Sequence, residues 1–538
     1  MTNIVKPPCD EGVIRAGSST VPCSKAHHVW ILAATILGSS LAMIDGSVVN
    51  VALPTLQSHL DATSAQVQWV VEAYALFLAA LILVGGSLGD RYGRRKIYAI
   101  GIAVFAIASM LCGISLNVQQ LIAARAIQGI GGALLVPGSL AIISAAFEKQ
   151  QRGRAIGTWS GFTAMTSALG PVVGGWLIEN ASWRSIFFLN LPLAAFVLAI
   201  VFWRVPESRD ESATGKLDVR GASLATIGLG SIVYGLIESA QLSLTHPSVL
   251  IAFGVGIVAL IAFVWTELSV QSPMLPLTMF RSKTFSGANL LTLLLYGALG
   301  GVLFFFPFNL IQVQGYSATA AGAAFLPLIL LMFLLSRWSG GLVSQYGAKR
   351  PLIVGTAIAA IGFALFAVPG IGGSYWSTFF PAIVVLGLGM SITVAPLTTT
   401  VMEAVSVQHS GTASGINNAV ARTAGLLAIA VFGVVMAHRF NQVLNQQFAT
   451  LQIPAEIQAL MASERVKLAG ATIPHQINSA TASSIKQAIA QSFVSGFRVV
   501  MLVAASLTIL STIVAAFTIQ SQQSTTPQSR DHNARSHH

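Results

Sequence analysis

Three ionisable side chains stand inside strongly apolar sequence: Asp45, Glu72 and Arg125. Each lies within a stretch long enough to cross a bilayer, where a charge is costly and needs a reason. Counted inward from the same side at 1.5 Å per residue, all three sit roughly 8–12 Å deep. Two acids and one base at matched depth suggest a shared polar pocket. The chemistry open to it is proton exchange, because desolvation favours a neutral acid and a nearby arginine favours the carboxylate. A fixed ion pair that merely holds spans together is the other reading of the same residues. Arg422, preceded by Asn417 and Asn418, is a fourth such group, a candidate cavity charge with no acid at its own depth in the second half.

Other chemistry is absent from the pattern. There is no GxxxxGK[ST] phosphate loop and no catalytic triad. His246, His409 and His475 show no ligand spacing, so no metal site is expected. Cys9, Cys23 and Cys112 form neither a disulfide framework nor a zinc pattern. The reading is therefore not an enzyme, and no cofactor is expected beyond a proton gradient as energy source.

The elements that must position these residues follow from composition. The chain has 538 residues, 54% hydrophobic and 9% charged, with mean hydropathy +0.74. Soluble domains carry about 25% charged residues. So apolar a chain is expected to be an all-α polytopic membrane protein built from spans of about 20 residues. Fourteen spans are expected near 30–53, 67–88, 97–116, 119–143, 155–178, 185–203, 221–238, 247–266, 286–309, 320–336, 351–369, 376–400, 411–436 and 492–519. The net charge of +11 falls between spans, which argues for topology rather than nucleic-acid binding. With the N-terminus in the cytoplasm, Arg91, Arg94, Arg95, Lys96, Arg209, Arg281, Lys349 and Arg350 all fall on the inner side. Both termini are then cytoplasmic and the long loop 437–491 is external; within it, 476–491 has the pattern of a helix lying on the outer surface.

The two halves repeat. Gly86, Leu88, Tyr92, Gly93 and Lys96 stand at one constant spacing from Gly340, Leu342, Tyr346, Gly347 and Arg350. A second set, Gly129, Gly131 and Gly153, maps onto Gly387, Gly389 and Gly411. Both copies fall on the same side, as in a parallel repeat of two six-helix bundles. The expected organisation is a tail over 1–29, a first bundle over 30–204, and a linker with two extra helices over 205–267. A second bundle over 268–520 and a tail over 521–538 follow. The extra hairpin carries none of the repeat motifs and is expected at the periphery. Asp90 is placed to cap the helix that follows the tight turn at Gly89 and Gly93.

Several segments carry a family resemblance. LAMIDGSVVNVALP (41–54), GGSLGDRYGRRK (85–96), LIAARAIQGIGGA (121–133), ALGPVVGGWL (168–177) and WRSIFFLNLPLA (183–194) resemble, in order, motifs of the major facilitator superfamily. They most resemble its fourteen-span drug:proton antiporters, the multidrug efflux and quaternary-ammonium-resistance type; GINNAVARTAG (415–425) is similar to the same branch. The likeness runs from about residue 30 to 520. It implies alternating access with protons moving in as small lipophilic or cationic compounds move out. A proton-linked symporter or uniporter of a metabolite shares the fold and is the alternative.

By position, the resemblance implies Asp45 as the titrating acid, with Arg125 acting on its protonation. It implies Gly86, Asp90, Gly93 and Arg94 in a conformational latch, and Gly170, Pro171, Gly174 and Gly175 in a helix bend of the antiporter type. Glu72 departs from the small hydroxyl residue frequent at its position, and Ser344 stands where the second copy of Asp90 would be. The implied setting is the bacterial inner (cytoplasmic) membrane. The functional unit is a monomer, and the partners are a lipophilic small molecule, protons, the bilayer and a membrane-fusion adaptor protein, with no nucleic acid.

Overall fold

The computed structural model describes residues 25–147, 149–209, 218–270, 273–405, 410–474 and 477–520. The expected tails over 1–29 and 521–538 lie outside these residues, apart from 25–29. Lipid offers no partner to a backbone N–H or C=O, so a spanning segment must bond internally. Among the described residues every regular element is accordingly helical. Fourteen helices are long and apolar enough to cross a membrane. The first eight are α1 (His28–His59), α2 (Ser64–Tyr92), α3 (Arg94–Ile114), α4 (Val118–Ala146), α5 (Ala155–Asn180), α6 (Ser185–Arg204), α7 (Val219–Leu242) and α8 (Pro247–Ser269). The rest are α9 (Lys283–Val313), α10 (Ala318–Leu335), α11 (Lys349–Phe366), α12 (Phe380–Glu403), α13 (Thr412–Thr450) and α14 (Ser479–Thr518).

Helix starts are set by side chains that satisfy the first free N–H groups. Thr63 and Gln66 form a reciprocal capping box at α2. Asn117, Asp218, Ser282, Ser317 and Asn478 cap α4, α7, α9, α10 and α14. The linker between α13 and α14 is shorter than the sequence pattern suggests. Both helices run past the apolar segments, and 479–491 is the start of α14 rather than a separate surface helix.

The two halves pair their helices in one scheme. In the first, α1 packs on α5 and α6, α4 on α2 and α3, and α3 on α6. In the second, α9 packs on α13 and α14, α12 on α10 and α11, and α11 on α14. The repeated glycines explain why this scheme is written twice. Gly131 in α4 lies against the backbone of α3, where a Cβ would sit 2.6 Å from the Phe105 nitrogen. Gly389 in α12 does the same to α11, 2.4 Å from the Ala359 nitrogen. Gly129 approaches Tyr74 on α2 as Gly387 approaches Leu328 on α10. Small residues permit this closeness in lipid, where packing replaces the hydrophobic drive between helices.

The inserted pair α7 and α8 lies outside this scheme. α7 packs on α2 and α13, one helix from each bundle. α8 packs on α7 and exposes Leu250, Ile251, Val258, Ile261 and Trp265 outward. The hairpin therefore sits at the periphery, lying along one lateral seam between the bundles.

The bundles touch most tightly at the end where α13 joins α14, called here the loop end. Gly175 of α5 lies against the Ala318 carbonyl of α10, and Gly322 of α10 against the Pro171 carbonyl of α5; a Cβ would come within 2.4 Å and 2.1 Å respectively. Glu179 accepts from the Thr319 N–H at 3.0 Å and its hydroxyl at 2.6 Å. Over the same end, Lys467 reaches Asp61 at 2.5 Å and Glu464 at 2.8 Å. Gln57 donates to the Lys467 carbonyl and accepts from Gln312 of α9. At the opposite end of α5 and α10 the seam parts, and a side chain built on Gly157, Gly161 or Gly340 would enter open space. The bundles are thus in close contact at the loop end, whereas at the other, called here the parted end, these glycines meet no described residue within 4 Å.

Candidate functional site

α1, α4 and α6 bring a polar cluster into the middle of the first bundle. Asp45 and Arg125 are 2% and 1% exposed. The Arg125 guanidinium donates to Asp45 Oδ2 at 2.5 Å, to Gln128 Oε1 at 2.7 Å and to the Val70 carbonyl at 3.1 Å. Its face lies 4.3 Å from the centre of the Tyr74 ring. Asp45 Oδ1 accepts from Gln128 Nε2 at 2.8 Å and from Asn190 Nδ2 at 3.2 Å. Asn190 also donates to Ser109, whose hydroxyl donates to the Phe187 carbonyl. The carboxylate is thus held by one cation and two amides, with burial strengthening each bond. Breaking such a pair by removing one partner costs about 3–5 kcal/mol, so any step that separates Asp45 from Arg125 must supply a replacement for the lost charge, such as a proton.

Gln128, Asn190 and Ser109 were not singled out from the sequence. The signal was present: Gln128 follows Arg125 by one helical turn, and Asn190 is a polar residue inside the apolar α6.

Glu72 stands apart from this cluster. It is 0% exposed, and neither carboxylate oxygen has a hydrogen-bond partner among the described residues. Val70 and Tyr74 face Arg125; Glu72, between them on α2, points to the other side of the helix. The structure therefore brings Asp45 and Arg125 together and leaves Glu72 elsewhere. Arg422 on α13 is half-buried and close enough for its charge to act on Tyr74 and on Tyr296 of α9. Tyr74 thus stacks on Arg125 and feels the charge of Arg422 from the other bundle. Nearby, Asn417 donates to Asn289 at 3.2 Å and to Thr292 at 2.7 Å.

At the turn between α2 and α3, Asp90 pairs with Arg94 through two contacts of 2.7–2.8 Å. Asp90 does not cap α3. That position is taken by Glu207, from the segment after α6, whose carboxylate accepts from the Arg95 and Lys96 N–H groups at 2.9 and 3.0 Å. Gly93 has φ +111°, and a Cβ there would strike the Glu207 carboxyl at 2.7 Å. Backbone conformation and the approach of this carboxylate both require glycine at that position. Gly86 has a single loose neighbour, Pro137 of α4, at 3.6 Å. The Ser344 side chain lies outside the described residues.

On α5, Gly170 and Gly174 face α1, against Ser47 and Val48, whereas Gly175 faces α10. Pro171 offers its carbonyl side to Gly322. The segment is thus the place where α5 meets its own bundle and the other one at once. Gly322 was not singled out from the sequence.

A double six-helix repeat with a buried charge cluster is the architecture of a polytopic membrane protein. The sequence model of the Major Facilitator Superfamily matches residues 35–429. The methylenomycin A resistance protein of Bacillus subtilis (strain 168) is 34% identical over 79% of this chain and 91% of its own length. The tetracenomycin C resistance and export protein of Streptomyces glaucescens is 31% identical, over 90% of this chain and 91% of its own. Among solved structures, a bacterial homologue of the human lysosomal transporter Spinster, inward-facing and unoccupied, superposes with TM-score 0.63. That match has 16% identity and covers 93% of this chain and all of the other. The chain belongs to the Major Facilitator Superfamily. It is an integral membrane protein and a secondary transporter of the drug-resistance and efflux group.

Proposed function

We propose that the protein exports small lipophilic or cationic compounds from the cytoplasm in exchange for protons, by alternating access between its two bundles. The observation that carries this reading is the Asp45 cluster: a buried carboxylate paired with Arg125 in the middle of the first bundle. The resistance and export proteins to which the chain is similar support the substrate class. With the basic loops placed in the cytoplasm, the loop end is external and the parted end opens inward.

In this conformer Asp45 is paired with Arg125 and sealed from solvent. Rocking of the bundles about the α5–α10 contact opens the loop end, admits water to the cluster and changes the distance between Asp45 and Arg125. A coupling group has to bind its proton with different strength in the two states, or it transmits nothing. In this reading Asp90 with Arg94 steadies one conformer, and the Gly170–Gly175 segment is the pivot.

The test is transport in inverted vesicles carrying an imposed pH gradient and a panel of lipophilic dyes. Asp45→Asn keeps the side-chain size and cannot titrate. It is expected to reach the membrane at normal abundance and to lose gradient-driven accumulation, with Asp45→Glu retaining part of it. Normal gradient-driven flux in Asp45→Asn would remove this residue from the mechanism.

A further inference from the structure

We propose that Glu72 is a second proton-binding site, on the seam between α2, α7 and α13, reached from the loop end without passing through the central cavity. This goes beyond the Asp45 reading and uses a different part of the molecule.

Geometry places Glu72 on that seam. Its helical neighbours at i−3, i+3 and i+4 are Trp69, Ala75 and Leu76, which pack with Val233 and Ile237 of α7 and with Leu426 and Ala430 of α13. Its neighbour at i−4, Gln68, lies over Gly433 of α13. Both oxygens of this fully buried carboxyl lack a hydrogen-bond partner among the described residues. A structural acid would not be left so, since a polar group buried without a hydrogen bond costs free energy and returns none.

The seam is hollow on both sides of this residue, and the two hollows differ. Toward the loop end lies a cavity of about 230 Å³ lined by Ser64, Gln68, Gln241, Asn441 and Arg465 among others. It has room for several water molecules and polar groups to hold them. Toward the parted end lies a cavity of about 410 Å³ with a mostly apolar wall that includes Ala79, Leu83, Leu229 and Val420, with Ser286, Asn289 and Thr423 as its polar residues. Side chains on a helix lean toward its N-terminus, so Glu72 leans toward the polar cavity, one turn away at Gln68. In this conformer a proton reaches it from that side while the mostly apolar hollow closes the other way; coupling requires its release toward the opposite face once the bundles rock and α13 shifts against α2.

The charged and titratable groups on the surrounding elements do not neutralise it. They are Tyr234 and Glu238 on α7, Arg422, His438 and Arg439 on α13, Arg465 in the loop and Arg125 on α4. None bonds to Glu72: Arg125 is bound to Asp45, Arg439 to Ser495 and Gln442, and Arg465 to Asn445. The inserted hairpin gives the site its third wall, because without α7 this face of α2 would lie in lipid.

The experiment uses the full chain in liposomes with the membrane potential clamped. Dicyclohexylcarbodiimide, a lipophilic reagent for protonated carboxyls in apolar surroundings, is followed by peptide mass spectrometry from about pH 5 to about pH 9, the span over which buried carboxyls titrate. Glu72 is expected to be labelled, less so as pH rises, and Asp45 to be spared while Arg125 holds it. Glu72→Gln is expected to lower the steady accumulation ratio of a transported dye about tenfold per pH unit of gradient, the loss of one proton per cycle, with Glu72→Asp restoring it. Gly433→Leu, which fills the polar cavity beside Gln68, is expected to slow gradient-driven exchange without altering the labelling, because the reagent arrives through lipid. Absence of Glu72 labelling across the range, or an unchanged accumulation ratio in Glu72→Gln, overturns the site. An unchanged exchange rate in Gly433→Leu overturns the route. The labelling arm needs no variant to fold. Asp45→Asn, measured in the same vesicles, fails or succeeds independently, so the two readings are told apart.

Discussion

Asp45 and Glu72 are acids of the same bundle, buried to the same degree, and the protein treats them in opposite ways. Asp45 is saturated: arginine, glutamine and asparagine all donate to it. Glu72 receives no hydrogen bond from the described residues. Burial alone therefore says little about what an acid does; its partners decide whether the charge is kept. A saturated carboxylate gains a proton when a motion removes its donors. An unpartnered one changes state with the proton activity of whatever water reaches it.

Arg125→Gln breaks this contrast most strongly, because it leaves Asp45 a buried acid with two amide donors and no cation. Loss of about 3–5 kcal/mol is expected, read as a lower unfolding temperature in detergent, together with new carbodiimide labelling at Asp45. Adding Asp45→Asn to it is expected to recover most of the stability. A single variant as stable as the parent would mean that the ion pair does not hold the cluster.

Asn190→Leu sharpens the contrast by removing one donor of three. It also strands the Ser109 contact. About 1–3 kcal/mol is expected, with transport retained and its pH profile displaced. A profile identical to the parent's would show that Asn190 only packs.

The smallest effect is expected at the clamp over the loop end. Burial works against the charge of Lys467, but the hydrogen bonds it donates to Asp61 and Glu464 outweigh it and hold its pKa above the ordinary value. Burial likewise works against the Glu464 carboxylate, and its bonds from Lys467 and Thr472 hold its pKa below the ordinary value. The clamp's contribution is therefore complete between the ordinary glutamate and lysine values, about 4.3 and 10.4. It is lost as pH falls through the lowered glutamate pKa or rises through the raised lysine one. Because the Asp61 side chain is 83% exposed, Lys467→Met is expected to cost about 1 kcal/mol or less. The readout is faster hydrogen exchange at the Thr472 amide, which donates to Glu464 at 2.8 Å; exchange unchanged from the parent would show the clamp to be idle.

The spans and their repeat were legible because bilayer thickness fixes a length and glycine marks the crossings. Asp45 and Arg125 were legible as a pair because depth can be counted along a helix. The separation of Glu72 was not seen, since depth gives no azimuth; the alternation of Val70, Glu72 and Tyr74 around α2 held that information. Glu207 was hidden because a cap donated from a distant linker leaves no local pattern. The length of α13 and α14 was underestimated because hydropathy ends at the membrane surface, whereas their helical pairing continues into water.

The crossing of α5 and α10 has a mechanical consequence. The contact at Gly175 lies near one end of α5, and from there to Ala155 is about 30 Å of helix. A tilt of about 15°, ordinary for rigid bodies turning on an interface, swings that far end by about 8 Å. The lever is long because its fulcrum is off-centre, and the fulcrum is compact because Gly175 and Gly322 bring backbone against backbone. Bulk added at either residue would widen the axle and tilt the arms before any motion began. In the proposed cycle the largest displacement would thus be geared by two residues that have no side chain.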